Sequence, residues 1–122
     1  MKRVVIESPL SGDFRRNIRY ARLCMLDCLR RGEAPYASHL LYTQVLDDAS
    51  PADRALGMSA GFAWNGAAEK AAVYTDLGIS GGMLAGIERH NAKGTEVDIR
   101  KLPPDLMCLL DQGELRSTEG AK

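Results

Sequence analysis

Apolar residues in this chain come either in short unbroken runs or at spacings of three and four, and the two patterns alternate. Val4-Val5-Ile6 is a β-branched run that reads as a buried strand. Ser8-Pro9-Leu10-Ser11-Gly12 forms turns, and Asp13 is placed to cap a helix over residues 14–31. In that helix Ile18, Ala21, Cys24, Met25, Cys28 and Leu29 make one apolar stripe, with arginines on the other face. Gly32-Glu33-Ala34-Pro35 ends it. Tyr36-Ala37-Ser38, with Leu40-Leu41-Tyr42 as its exit, reads as a second strand, and residues 43–50 read as loop. Ser50-Pro51-Ala52-Asp53 starts a helix that runs to about Asn65, with Ser at the cap and Pro in the first turn. Lys70–Thr75 is the third strand. Ser80 caps the next helix, which stops at Gly94, and Glu96–Leu102 alternates as a fourth strand. Beyond Pro103 the patch Leu106-Met107-Cys108-Leu109-Leu110 suggests a short helix, and Ser117–Lys122 are expected to be mobile.

Strands alternating with helices imply right-handed crossovers and a parallel sheet covered on both faces, hence an α/β domain over residues 1–102 with a tail over 103–122. At 122 residues the chain builds one core. Such sheets bind ligands beyond the carboxyl ends of their strands. Three segments are expected there: Glu7 to Asp13, Ser38-His39, and Asp76 to Met83.

Lys+Arg and Asp+Glu number 16 each, so the formal charge is zero, which argues against a nucleic-acid-binding surface. The arginines 15, 16, 19, 22, 30 and 31 read as one solvated helix face. Three cysteines, Cys24, Cys28 and Cys108, suit a reducing compartment and core packing rather than disulfides or zinc. The start of the chain carries no secretory pattern and no window reaches membrane-spanning length, so a cytoplasmic location without membrane contact is expected. No Walker loop and no dinucleotide glycine pattern is present, and neither a cofactor nor a metal is expected.

The chemistry concentrates in Tyr74-Thr75-Asp76-Leu77-Gly78-Ile79-Ser80-Gly81-Gly82-Met83. An apolar strand ends in a carboxylate and feeds a glycine-rich helix start. Unpaired N–H groups at such a start favour phosphates and sugars, and Asp76 suits ribose hydroxyls. Ser8, Ser11, Gly12 and Asn17 form a second polar group after the first strand. His39 reads as structural or as a pocket residue. Trp64, near a helix end, suits base stacking or packing alike.

Glu7-Ser8-Pro9-Leu10-Ser11-Gly12 with Asn17, then Ser38-His39, then Asp76 with Ser80-Gly81-Gly82 and Gly86, resembles the motif order of the nucleoside 2-deoxyribosyltransferase-like superfamily, in particular its small bacterial and phage relatives. The resemblance implies a flavodoxin-like or Rossmann-like three-layer sandwich. Its sheet would be mostly parallel, of four or five strands, in a homo-oligomer. It also implies a nucleoside or nucleotide ligand bound by Ser8, Leu10, Ser11, Gly12, Asn17, His39, Asp76, Ser80, Gly81, Gly82 and Met83. The superfamily's enzymes use a Glu nucleophile on the N-glycosidic carbon, two residues before the glycine matching Gly86. Leu84 stands there in this chain. Glu88, one helical turn further on, lies about 5–6 Å away along the axis and is a poor substitute. The expectation is therefore a nucleoside- or nucleotide-binding protein without the family's glycosyl transfer, one suited to sequestering a nucleotide-derived signal. The alternatives are an N-glycosidase or deoxyribosyltransferase using Asp76 or Glu7, and an interaction module with a vestigial pocket.

Overall fold

A computed structural model describes residues 1–112. The expectation of mobility at Ser117–Lys122 lies outside the described residues. The elements run β1 (Arg3–Glu7), α1 (Phe14–Arg30), β2 (Ala34–Tyr36), α2 (Ser38–Leu41), a 3-10 turn (Tyr42–Gln44), α3 (Pro51–Asn65), β3 (Lys70–Tyr74), α4 (Gly81–Lys93), β4 (Glu96–Arg100) and α5 (Pro104–Met107). The four strands form an all-parallel sheet in the order β2-β1-β3-β4. The fold is an α/β three-layer sandwich of the flavodoxin- or Rossmann-like kind. The chain leaves β1 outward to β2 and then returns across it to β3, so the order reverses between β1 and β3. That reversal opens a crevice at the carboxyl edge.

The pleat assigns residues to faces. Val4, Ile6, Ala72 and Tyr74 join Tyr20, Leu23, Cys24 and Cys28 of α1, together with Leu102, Leu106 and Leu110, in one core. Val5, Ala71 and Val73 are buried on the opposite face. Glu7 shares their alternation and touches Gly86 and His90 of α4 on that face. Local signals set the helix ends. Asp13 accepts the Arg16 N–H at 3.2 Å, Ser50 accepts the Asp53 N–H at 3.3 Å, and Gly94 closes α4 in the left-handed region at φ 75°.

Three sequence expectations need correction. The second strand lies at Ala34–Tyr36, two residues earlier than expected, with Pro35 inside it. A proline is tolerated there because β2 is the sheet's edge. Leu40-Leu41-Tyr42 is helix and 3-10 turn rather than strand exit: the chain folds over the carboxyl edge and packs Leu40 against the core. Cys24 and Cys28 are buried as expected, whereas Cys108 is exposed. Among the described residues, no helix is long and apolar enough to cross a membrane.

Candidate functional site

A cleft of about 160 Å³ opens at the β1–β3 reversal. Its floor is the end of β1, from Val5 to Ser8, and one wall is the first turns of α4, through Ser80, Gly82, Met83 and Gly86. The other wall comes from Ser38 and His39 of α2 and from Arg54, Met58, Gly61, Phe62 and Asn65 along α3. A smaller lobe of about 80 Å³ adjoins it, lined by Tyr42, Thr43, Leu46, Asp53 and Gly57. Leu10, Ser38, His39, Asp48, Arg54 and Met58 line both.

Two polar pairs sit at the floor. Strand alternation sends Glu7 toward α4, where its Oε2 lies 2.8 Å from Nε2 of the buried His90. The carboxylate fills the space that the missing side chain of Gly86 leaves. A Cβ built there would stand 2.6 Å from Glu7 Oε2 and 2.7 Å from Oε1. Oε1 has no hydrogen bond among the described residues. Next along the chain, Ser8 Oγ meets His39 Nε2 at 2.7 Å. Burial lowers the His39 pKa to about 4, so its imidazole is neutral near pH 7.

At the wall, Ser80 caps α4 by accepting the Met83 N–H at 3.2 Å. The other first-turn N–H groups of a helix lack intrahelical partners and favour anionic or hydroxylated ligands. Phe62 of α3 leans toward α4 beneath the Arg89 guanidinium, 3.6 Å from its ring centre, which joins the two walls. Gly61 lets α3 approach α2: a Cβ there would meet Ser38 Oγ at 2.9 Å.

Of the residues singled out from sequence, Glu7, Ser8, Leu10, Ser11, His39, Ser80, Gly82 and Met83 line this cleft. Gly12, Asn17, Asp76 and Gly81 do not line it. Asn17 instead fastens the loop after β1, donating from Nδ2 to Leu10 O at 3.0 Å and Ser11 O at 2.9 Å. Asp76 makes its contacts outside the cleft lining. Its Oδ2 accepts the Tyr20 hydroxyl at 2.6 Å and the Leu102 N–H at 2.9 Å, tying α1, the end of β3 and the segment before α5 together. These contacts give the carboxylate a structural role. Trp64 is 58% exposed and packs at a tilt on Tyr36, away from the cleft. Leu84 is 52% exposed and Glu88 is exposed, and neither lines the cleft. The α3 contributors went unread, because nothing in a helix of small residues says which neighbour it faces. Among the described residues, no group of three or more His, Cys, Asp or Glu side chains could hold a metal.

Residues 2–100 match a family described as a domain of unknown function, DUF7768. No curated protein and no solved structure matches the chain.

Proposed function

The chain belongs to the DUF7768 family, and from that premise we propose that its cleft takes a nucleoside or nucleotide and cleaves the N-glycosidic bond, with Glu7 as the attacking carboxylate. The observation that carries this reading is the position of Glu7. Its carboxylate lies against Gly86, held by His90, in a cleft at the strand-order reversal. The superfamily that the sequence resembles sends its nucleophile from the helix, where this chain has Leu84. Here an acid from the adjacent strand reaches over the same helix instead. Glu7 then forms a glycosyl ester while the base departs, and water resolves the ester, the two-step logic of a retaining carboxylate nucleophile. Arg54, at the junction of the two lobes, offers a cation to a 5′-phosphate.

The test is incubation of the full chain with ribonucleosides, 2′-deoxyribonucleosides and their 5′-monophosphates, followed by chromatography of free base. Base release is expected in the native chain. Glu7→Gln keeps a partner for His90 and should lower release by about a thousandfold or more. Absence of release from every substrate overturns the reading.

The second reading, binding without turnover, draws on Leu84 facing outward and on the absence of an acid from α4 in the cleft lining. It predicts that ligand is recovered intact and that the thermal midpoint rises with nucleotide concentration. We also propose self-association through α3, on which Leu56 and Trp64 are exposed and only Gly61 and Asn65 are buried.

A further inference from the structure

We propose that Ser8, backed by His39, hands the proton to the departing base; the inference rests on the Glu7 reading and extends it from the sugar to the leaving group. Glu7, Ser80, Gly82 and Gly86 line only the larger lobe, and Tyr42, Thr43, Leu46 and Gly57 line only the smaller one. His39 lines both, and Ser8 Oγ lies 2.7 Å from its Nε2 on the side of the larger lobe. A nucleoside with its sugar carbon at Glu7 and its base in the smaller lobe therefore has its glycosidic nitrogen beside this pair. Most bases are poor leaving groups as anions. A positioned proton donor contributes about 10²–10⁴-fold in such cases.

The relay starts from the fraction of enzyme in which His39 is protonated, and its steps balance. Glu7 Oε1 bonds to the anomeric carbon, and the C–N bond breaks with its electron pair passing to the base nitrogen. That nitrogen takes the Ser8 Oγ proton, and Oγ takes the proton on Nε2 of protonated His39. Water then displaces Glu7 from the anomeric carbon and returns a proton through Ser8 to His39. Ser8 is the catalytic residue; His39 acts through it as a positioning residue. Glu7, Tyr42, Asp48, Asp53 and Arg54 are the titratable or charged groups that line the two lobes around the pair. Because burial lowers His39 to about 4, the protonated form grows as pH falls toward that value.

The experiment compares substrates whose base leaves as an anion with nicotinamide riboside and its 5′-phosphate, whose base leaves neutral and needs no proton. The anionic set is the common ribo- and deoxyribonucleosides and their monophosphates. Ser8→Ala and His39→Gln should each lower kcat/KM on the anionic set by about a hundredfold or more. On the nicotinamide substrates they should leave it within a few-fold of the native chain. The rise in rate toward acid on the anionic set should disappear in His39→Gln, and the nicotinamide substrates should show none in either protein. Equal losses on both sets, no loss on either, or native activity confined to nicotinamide substrates would overturn the relay. Loss of both sets in Glu7→Gln alone upholds the Glu7 reading, and no cleavage of any substrate by the native chain removes that reading and the relay together.

Discussion

At the scale of single residues, the site turns on a glycine that makes room for an acid. Gly86 lies inside α4, where alanine is favoured over glycine by about 1 kcal/mol. A methyl group there would stand 2.6 Å from Glu7 Oε2 and push the carboxylate off His90. Gly86→Ala is therefore expected to lower the thermal midpoint, because leaving the buried His90 without its partner costs more than the helix propensity returns. Base release should fall by about a hundredfold, the cost of displacing a reacting group by about 1 Å. Paired calorimetry and chromatography on the same preparation check both halves. Glu7 was only half legible in the sequence. A charge closing the run Val4-Val5-Ile6 marks the end of a buried strand, and alternation puts it on the face of Val5. The sequence does not say which helix meets that face. The contacts of Asp76 were not legible for a related reason. A carboxylate at a strand end needs a partner, and the partner turned out to be Tyr20, 56 residues away.

At the scale of elements, Asp76 joins three pieces of chain, α1, the end of β3 and the segment before α5. Removing it leaves the Tyr20 hydroxyl and the Leu102 N–H without their charged acceptor. Hydrogen bonds to charged groups are worth about 1.5–3 kcal/mol each. Asp76→Ala should lower the unfolding free energy by about 2–4 kcal/mol in urea titrations. Its kcat/KM on any cleaved nucleoside should stay within a few-fold of the native value. A large loss of activity in folded Asp76→Ala would return this carboxylate to the site. The long helices were legible because their caps are written in Asp13, Ser50, Ser80 and Gly94. The α2 segment was not, since Leu40-Leu41-Tyr42 is a short apolar run whose period favours neither helix nor strand. Its conformation is decided by the turn over the sheet edge that carries His39 to Ser8.

At the scale of the whole molecule, stability should depend on pH through His39. Its folded pKa of about 4 lies below the ordinary value of 6.5, so the unfolded chain binds more protons between those limits. The contribution is fully present above about pH 6.5 and is lost as pH falls toward 4. Between pH 7 and pH 5 the loss should be about 2 kcal/mol, and His39→Gln should not show it in denaturant midpoints at the two pH values. Glu33, whose pKa lies below the usual value because of its paired hydrogen bonds with Arg100, adds its own loss only below about pH 4.5. The overall architecture was legible from the alternation of strand and helix patterns. The order β2-β1-β3-β4, and so the place of the cleft, was not, because neighbouring apolar strands carry no label for their partners.

The edge strand β2 also sets how copies of this chain can meet. Its residue Ala34 donates inward, to Lys2 O at 2.8 Å, so the alternate residue Pro35 faces outward. Proline has no N–H. The outer rim of this three-residue strand thus presents a carbonyl and no donor. Another chain cannot zip onto it to continue the sheet, which shields the molecule from runaway strand stacking on that side.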